Sequence, residues 1–340
     1  MFNFVTFNLQ VEKSNIINGL AHLGEQIHRL PEEIKERAKL YNSWFTPEYI
    51  QLAANNWSKA LQANHIKTWL TDEPYTLSDK KVGVIMAGNI PFVGLHDLIS
   101  VLAKGHIAFV KLSSQDEILM TYAISLLKQH TPELQERIIV TEKLNGIDYL
   151  IATGSNNSSR YFEYYFRNVP SLIRKNRTSV AVLTGNETDE QLVQIADDIF
   201  TYFGLGCRNI THLLLPENFE LRRIYEAYDK YMDHVNHHKY YNNYMYHKSI
   251  LLMNLSKHYD NGFMLFQEKQ EPHAPIATLN YHFYRSQEDI DTYLQQYADL
   301  WQCVVSISPS VKNAIMPGSS QTPMLWDYAD NINTLSFLNS

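Results

Sequence analysis

Residues 82–130 decide the fold, and they read VGVIMAGNIPFVGLHDLISVLAKGHIAFVKLSSQDEILMTYAISLLKQH. Two apolar runs rich in β-branched residues lie in this stretch, at 82–87 and 107–112. Each run precedes a segment whose apolar residues follow helical spacing, at 91–103 and 117–130. Short links between strands and helices favour parallel strands with helices on both faces of the sheet. The stretch therefore predicts an α/β domain.

The same pattern can be followed outward in both directions. Toward the N-terminus, helices are predicted at 11–23, 31–40 and 47–61, before a polar turn at 71–74. Toward the C-terminus, short strands are predicted at 138–140, 149–152 and 179–183, with a helical turn at 160–166. We therefore predict a first domain over residues 1–183, in which a helical layer precedes a parallel sheet.

From Thr188 onward the pattern of strands and helices starts again. The predicted elements are a helix ending at Gly204, a strand at 212–215, a tyrosine-rich helix at 221–241, strands at 249–254, 264–268 and 276–283, a helix at 288–300 and a strand at 303–307. This predicts a second α/β domain over 184–307. Residues 308–340 are rich in proline and glycine, and are predicted to form an irregular tail.

Composition excludes several classes of protein. The chain has 340 residues, 45% of them hydrophobic, which is enough for two domains with large cores. Its net charge of −7 and the lack of a basic stripe argue against nucleic-acid binding. Two cysteines far apart in the sequence, without a leader-like N-terminus, predict a cytoplasmic protein. No apolar stretch is long enough to span a membrane.

Cys207 is the first candidate for a chemical role. Thr188 is a good cap for the helix that precedes it, and Gly204 suits the left-handed turn that would end this helix. Gly206 then leaves little to cover the sulfur. Backbone N–H groups in such a turn can stabilise a thiolate and the oxyanion formed when it attacks a carbonyl. The alternative, a small buried cysteine with no reactivity, stays open at this point.

Polar residues also follow three of the predicted strands. They are found in the segments 87–91, 111–114 and 153–155, which contain Asn89, Lys111 and Thr153. The carboxyl ends of parallel strands border the crevice in which ligands bind. The sequence has neither a Gly-x-Gly-x-x-Gly fingerprint nor a P-loop, so a nucleotide would need a site of a different design.

Taken together, these motifs resemble the LuxC-type acyl-CoA reductases, a branch of the aldehyde dehydrogenase superfamily. The resemblance rests on Gly88-Asn-Ile-Pro91, Gly105-His106, Lys111-Leu-Ser-Ser114, Thr153-Gly-Ser155 and Phe203-Gly-Leu-Gly-Cys207, in this order. It implies an aldehyde dehydrogenase-like fold of two three-layer α/β domains. The first domain would bind the dinucleotide, the second would carry Cys207, and the tail would pack on the cofactor domain or at a dimer edge.

The resemblance also implies a role for each matching residue. Cys207 would attack the thioester of an acyl-CoA, expel CoA and hold the acyl group until hydride from the nicotinamide yields an aldehyde. Asn89 would complete the oxyanion hole. The implied cofactor contacts come from Lys111, Ser113, Ser114, Thr153, Gly154, Ser155 and Glu271.

Two departures from the superfamily pattern bear on the reaction. Arg174-Lys-Asn-Arg-Thr178 stands where Glu-Leu-Gly-Gly-Lys is common, so the glutamate that activates water is absent and hydrolysis of an acyl-enzyme should be slow. Ser114 stands in place of an acid that pairs with the 2′-hydroxyl in NAD-dependent relatives. The serine leaves room for a 2′-phosphate, so NADPH is predicted over NADH.

Other functions remain open on the sequence alone. A binding subunit that has lost its chemistry and a reductase of acyl phosphates are the two alternatives. His234, His237, His238 and His247 lack a carboxylate or cysteine at ligand spacing, so no metal is predicted. The predicted substrate is an acyl-CoA, with a fatty chain favoured. A homodimer is expected, and the resemblance offers an acyl-transferring or synthetase protein as a further partner.

Overall fold

The computed structural model describes residues 12–154 and 156–339. The chain divides into two compact units. Unit 1 comprises Met1–Lys175 together with Met324–Ser340, and unit 2 comprises Asn176–Pro323. Unit 2 is therefore continuous in sequence, whereas unit 1 is built from two separate segments.

Helices and strands alternate through most of the chain. The α-helices are α1 Lys13–Ile27, α2 Glu32–Tyr41, α3 Pro47–Ala60, α4 Ala63–Trp69, α5 Leu95–Ala103, α6 Glu117–His130, α7 Asn156–Tyr165, α8 Asp189–Phe200, α9 Arg222–Tyr228, α10 His238–Met253, α11 Gln287–Gln296 and α12 Thr334–Phe337. The strands are β1 Lys81–Ile85, β2 Ile107–Lys111, β3 Ile138–Val140, β4 Tyr149–Thr153, β5 Ser171–Arg174, β6 Thr178–Val182, β7 Ile210–Pro216, β8 Tyr259–Asp260, β9 Leu265–Glu268, β10 Thr278–Tyr284 and β11 Trp301–Val305.

The core of unit 1 is a parallel sheet with the strand order β3-β2-β1-β4-β5 among the described residues. β1 lies at its centre, and the side chains of Val82 and Val84 are fully buried there. Because β2 and β4 flank β1 in parallel, the carboxyl ends of all three strands lie at one edge of the sheet. The helices α1 to α4 are amphipathic and contribute Leu20, Leu23 and Ile50 to the buried interior.

The core of unit 2 is a second sheet, ordered β11-β6-β7-β10-β9-β8, in which only β8 runs antiparallel to its neighbour within the described part of the chain. Alternate residues of β7 face opposite sides of this sheet. Leu213 packs in a cluster with Leu192 of α8, while Leu214 packs in another with Ile290 of α11. Unit 2 is therefore a three-layer arrangement with helices on both faces of its sheet.

The prediction of parallel-sheet cores in two sheets is confirmed. The predicted strand at 249–254 is wrong, because these residues form the end of α10 and the turn after it. A short apolar run such as Ile250-Leu-Leu-Met253 does not distinguish a strand from a helix by its periodicity. The predicted helix at 221–241 is broken into α9, a 3₁₀ segment over Asp229–Asn236 and the start of α10.

The bounds of the two units also differ from the predicted domain bounds. The strand predicted at 179–183 was assigned to the first domain, but β6 pairs with β7 and β11 in unit 2. Unit 1 ends at Lys175 instead of residue 183, and it regains the chain at Met324, inside the segment predicted to be a tail. No sequence signal indicated α4 or β5.

Candidate active site

The polar segments that follow β1, β2 and β4 lie at one edge of the sheet in unit 1. In the register of these strands, Ile85 is opposite Lys111 on one side and Ala152 on the other. The loop that carries Asn89 therefore leaves the sheet between the Lys111 and Thr153 strand ends. The structure brings these predicted residues of unit 1 together.

The loop that carries Asn89 is held by two neighbouring loops. The buried Asn42 side chain donates from Nδ2 to the carbonyl oxygen of Gly88, at 3.3 Å. A Cβ atom added to Gly88 would lie 2.4 Å from Ser113 Oγ, so only glycine allows this approach. Asn89 itself is partly exposed. The peptide group beside Asn89 is thus fixed while its side chain is accessible.

Asp116 is a buried acid beside this loop, and no sequence motif indicated it. Neither carboxylate oxygen has a hydrogen-bond partner among the described residues. Burial raises the pKa of Asp116 well above its usual range, although the backbone N–H groups of Phe92 and Val93 lower it in part without reaching full hydrogen-bond geometry. Phe92 has a φ of 60°, so the chain takes a strained left-handed step at this point.

The end of β2 and the segment after it present a lysine and two serines. Lys111 Nζ donates to the carbonyl oxygen of Glu142, at 3.3 Å, and lies 3.8 Å from a carboxylate oxygen of the same residue. Ser113 Oγ accepts a hydrogen bond from the backbone N–H of Gln115, while Ser114 is exposed. A cationic group and hydroxyl groups are therefore available at this strand end.

Gly154 directly follows β4, and α7 begins at Asn156. A Cβ atom added to Gly154 would lie 3.0 Å from both Ser158 Cβ and Phe162 Cε2, so a larger residue would crowd the turn. The predicted contact Ser155 lies outside the described residues. Backbone N–H groups at a helix N-terminus can bind the phosphates of a dinucleotide. The residues that end or follow β1, β2 and β4 thus offer a cationic group, hydroxyl groups and a glycine, which have the chemistry that nucleotide phosphates and riboses require.

In unit 2, Cys207 lies on a turn between α8 and β7. Thr188 and Gln191 form a capping box at the start of α8, which confirms the predicted cap. At the other end of the helix, Tyr202, Phe203 and Gly204 all have left-handed φ values, of 55°, 58° and 77°. Consecutive left-handed residues are costly unless they are glycine, so the surrounding structure must hold them. Cys207 follows this turn and is partly exposed.

Aromatic rings pack against the strained turn. The Phe203 ring lies 4.6 Å from the His234 ring and 4.5 Å from the His237 ring, measured between centroids. Burial lowers the pKa of His234 to about 3, so its ring is neutral inside this cluster. A partly open cleft borders the same turn, lined by Phe203, Gly204 and the segment 274–278.

The Pro317–Thr322 segment of the predicted tail binds the end of α8 within unit 2. Asp198 accepts hydrogen bonds from the backbone N–H of Gly318 at 2.7 Å, and from Ser320 Oγ at 2.6 Å. Burial raises the pKa of Asp198 to about 6. This segment therefore stabilises the helix that leads to Cys207.

The main chain around Glu271 is fixed by three side chains of the sheet in unit 2. Its carbonyl oxygen accepts from Asn280 Nδ2 at 2.9 Å and from His212 Nδ1 at 3.1 Å, while Thr211 Oγ1 donates to the carbonyl oxygen of Pro272. Burial lowers the pKa of His212 to about 3, so a neutral ring donates this bond. Glu271 is exposed, so its carboxylate can reach a ligand.

Arg174 occupies the position at which the resemblance expects a water-activating glutamate. In unit 1 its guanidinium is buried, and Nη2 donates to Asp97 Oδ1 at 2.7 Å and to Thr334 Oγ1 at 2.8 Å. The group is held in a structural ion pair and cannot serve as a base. The segment 174–178 contains no carboxylate, and the contacts of Arg174 show that its side chain is used within unit 1.

The histidines considered as metal ligands have other contacts. His234 lies in the aromatic cluster, and His237 Nδ1 accepts from the backbone N–H of Tyr240 at the start of α10. Over residues 12–154 and 156–339, no three histidine, cysteine or carboxylate side chains are placed to hold a metal ion. In the same residues, no helix has the length and apolar character needed to cross a membrane.

Comparisons with known proteins identify the fold. No family model and no curated protein sequence matches the chain. Solved structures do match: an NAD+ complex of an aldehyde dehydrogenase from Bacillus cereus aligns over 89% of this chain and 73% of its own, with a TM-score of 0.63 and 12% identity.

Two further structures agree with this match. An indole-3-acetaldehyde dehydrogenase in complex with NAD+ aligns over 89% of this chain and 74% of its own, with a TM-score of 0.64 and 12% identity. An NAD+ complex of an aldehyde dehydrogenase from Mycobacterium tuberculosis covers 88% and 74%, with a TM-score of 0.61 and 12% identity. The chain therefore has an aldehyde dehydrogenase-like fold, which confirms the predicted fold class.

Proposed function

We propose that this protein is an oxidoreductase of the aldehyde dehydrogenase type that reduces an acyl-CoA to an aldehyde with a nicotinamide cofactor. The observation that carries the proposal is Cys207, a partly exposed thiol that follows a strained turn in an aldehyde dehydrogenase-like fold. Strained backbone conformations cluster at functional sites, and here such a strained turn precedes a thiol. The sequence resemblance of this turn to the LuxC-type reductases supplies the finer assignment.

In the proposed reaction, the Cys207 thiolate adds to the thioester carbonyl and forms a carbon–sulfur bond. The tetrahedral oxyanion accepts hydrogen bonds from the Asn89 side-chain amide and the Cys207 backbone N–H. Collapse of this oxyanion breaks the bond to CoA, which leaves as a thiolate and takes up a proton from solvent. The acyl group then remains on Cys207 as a new thioester.

The second half of the proposed reaction releases the aldehyde. When bound, the reduced nicotinamide supplies a hydride, which is the source of both electrons. After the acyl carbon is reduced, the Cys207 thiolate leaves and the carbonyl of the aldehyde forms. Arg174 is held by Asp97 and offers no base to activate water, which favours this route over hydrolysis of the acyl-enzyme.

For the cofactor, we propose contacts from Lys111, Ser113 and Ser114 to the adenosine ribose, and from the turn at Thr153-Gly154 to the phosphates. Glu271 is proposed to bind the nicotinamide ribose. The preference for NADPH over NADH rests on Ser114, whose small exposed side chain leaves room for a 2′-phosphate beside Lys111. Glu142 beside Lys111 opposes this preference, because its carboxylate repels a phosphate.

Acyl trapping tests the proposal. The parent protein, Cys207→Ala and the control Cys303→Ala are each incubated with dodecanoyl-CoA, and acylated peptides are located by mass spectrometry. NADPH or NADH is then added, and cofactor oxidation is compared with release of CoA. We expect a dodecanoyl thioester on Cys207 in the parent and in Cys303→Ala only, followed by equal amounts of oxidised cofactor and free CoA.

Other results would contradict the proposal. Cofactor oxidation at the parent rate by Cys207→Ala would exclude the thioester route. Tight acyl-CoA binding with neither acylation nor cofactor oxidation would instead identify a binding subunit. Turnover of an acyl phosphate with release of phosphate, and none of acyl-CoA, would identify a reductase of that second substrate class.

A further inference from the structure

We infer that Ser179 and Asn209 set the reactivity of the Cys207 thiol, because they hydrogen-bond to the peptide groups on either side of it. We call these two residues the clamp. Both are positioning residues, since they act on the main chain of Cys207 and not on a ligand. The sequence resemblance assigns no role to either. The importance of the clamp for turnover rests on the proposed function, but its effect on the thiol does not.

Asn209 joins the end of α8 to the turn that carries Cys207. Its side chain is fully buried, and Oδ1 accepts from the backbone N–H of Gly206 at 2.7 Å. Nδ2 donates to the carbonyl oxygens of Asp198, Ile199 and Thr201, at 3.2, 3.1 and 2.8 Å. These carbonyls belong to the last turn of α8 and to its C-cap Thr201, where intrahelical partners run out. The Asn209 side chain therefore fixes the helix end and the Leu205–Gly206 peptide. Its backbone N–H donates to the carbonyl oxygen of Gly206 at 3.1 Å and so holds the Gly206–Cys207 peptide.

Ser179 holds the other side of Cys207. Its Oγ donates to the carbonyl oxygen of Cys207 at 3.1 Å, and the side chain is fully buried in β6. Ser179 Oγ also accepts a hydrogen bond from the backbone N–H of Cys303 in β11, again at 3.1 Å. The backbone of Ser179 in turn donates to the carbonyl oxygen of Asn209 at 3.2 Å. The turn is thereby tied to two strands of the sheet.

A clamp is needed because the turn is strained. Tyr202 and Phe203 adopt left-handed conformations that L-residues with side chains avoid, and nothing within the local sequence favours them. Peptide dipoles stabilise a thiolate only if their N–H groups are oriented toward the sulfur. Bonds from Asn209 to the Gly206 carbonyl and from Ser179 to the Cys207 carbonyl fix the two peptides that flank Cys207, so the clamp preorganises the thiol.

The test compares two buried serines, Ser179 in β6 and Ser306 directly after β11. Ser179→Ala removes a hydroxyl that donates to the Cys207 carbonyl and accepts one N–H. Ser306→Ala is the matched control: Ser306 Oγ donates to the carbonyl oxygen of Val182 at 2.7 Å and accepts the N–H of Ser308 at 3.1 Å. Iodoacetamide alkylation is measured from pH 6 to pH 10, with Cys207 and Cys303 quantified separately by peptide mass spectrometry.

In the Ser179→Ala protein, we expect Cys207 to alkylate about fivefold more slowly at pH 7, with rates that converge on the parent near pH 10, because the thiolate is less stabilised. Ser306→Ala should keep the parent profile although it loses a similar bond. A rate that rises at every pH would indicate simple loosening and overturn the proposal. So would a profile for Ser179→Ala that matches Ser306→Ala.

A measurement on the parent protein covers the case in which Ser179→Ala does not fold. Hydrogen exchange of the Gly206 amide should be at least about 100-fold slower than in an unstructured peptide, since that N–H is bonded to the buried Asn209. Exchange at the unprotected rate would overturn the clamp. Neither measurement uses a substrate, so failure to trap an acyl group on Cys207 would refute the proposed function and leave this inference to be judged separately.

Discussion

The two regions proposed to carry the chemistry are held in place by different means. At the sheet edge of unit 1, Lys111 ends β2 and Asn89 lies in the loop after β1, and backbone ladders fix both strands on both sides. In unit 2, the Cys207 turn precedes its strand and depends on side-chain bonds from Ser179 and Asn209. A backbone ladder has many redundant bonds, whereas a clamp has few. Single substitutions should therefore affect stability far more in the second region than in the first.

The largest expected effect is on stability at the clamp. Asn209→Ala should lower the free energy of unfolding by about 3–4 kcal/mol, because it leaves buried carbonyls and the Gly206 N–H without partners. Urea denaturation measures this change. The control Asn243→Ala removes one bond, to the carbonyl of Lys239, and should cost under about 1 kcal/mol. Equal losses in the two variants would show that the turn does not depend on Asn209.

The opposite result is expected at the sheet edge. Asn89→Ala should lower the rate of acyl-CoA reduction by about 100- to 1,000-fold, equivalent to about 3 kcal/mol of transition-state stabilisation. Its free energy of unfolding should change by less than about 0.5 kcal/mol, since Asn89 is partly exposed. Steady-state kinetics and urea denaturation on the same sample distinguish the effect on the rate from the effect on stability. Asn55→Ala, at an exposed position of α3, should change neither; a loss of stability in Asn89→Ala would erase the contrast between the regions.

An acid titration sharpens the comparison for unit 2. Burial lowers the pKa of His234 to about 3, from about 6.5 in an unfolded chain. The contribution of neutral His234 to the free energy of unfolding is therefore complete above about pH 6.5. It is lost as the pH falls toward 3, because the unfolded state takes up the proton first. His234→Phe has no such titrating group. The difference in free energy of unfolding between His234→Phe and the parent should therefore shift by about 2 kcal/mol in favour of the variant between pH 8 and pH 5.

Thermal unfolding across this pH range measures the gain. His238→Phe, at an exposed position four residues along, is the control and should give a pH profile parallel to that of the parent. Parallel profiles for His234→Phe and the parent would show that the His234 ring is not held neutral in the aromatic cluster.

The smallest effect is expected at the cofactor edge of unit 1. Glu142→Gln removes a carboxylate that lies 3.8 Å from Lys111 Nζ, and it should strengthen NADPH binding about two- to fivefold relative to NADH. Fluorescence titration with both cofactors gives this ratio. Glu136→Gln, another exposed acid of unit 1, should leave it unchanged. A shift toward NADH in Glu142→Gln would contradict the proposed contact between Lys111 and a 2′-phosphate.

The sequence was informative where local rules determine structure. Thr188 and Gln191 can be recognised as a capping box from their spacing, and Gly204 as a left-handed residue from its lack of a side chain. The meeting of the Asn89 and Lys111 segments followed from the rule that parallel strands end at one edge. The proposed roles of these residues stay predictions.

Features that depend on contacts distant in sequence could not be predicted in this way. Tyr202 and Phe203 are left-handed because of packing and the clamp, and neither residue type signals it. Arg174 was noted as a departure from a motif, but its partner Asp97 lies 77 residues away and only the fold joins them. The same holds for Ser179 and the Cys207 carbonyl, and for the buried Asp116.

The contacts of Arg174 also bear on the order in which the chain can mature. Its second partner, Thr334, is 160 residues further along the chain, beyond all of unit 2. Unit 1 therefore cannot complete the contacts of its buried guanidinium until the segment around Thr334, which is synthesised after all of unit 2, has joined it.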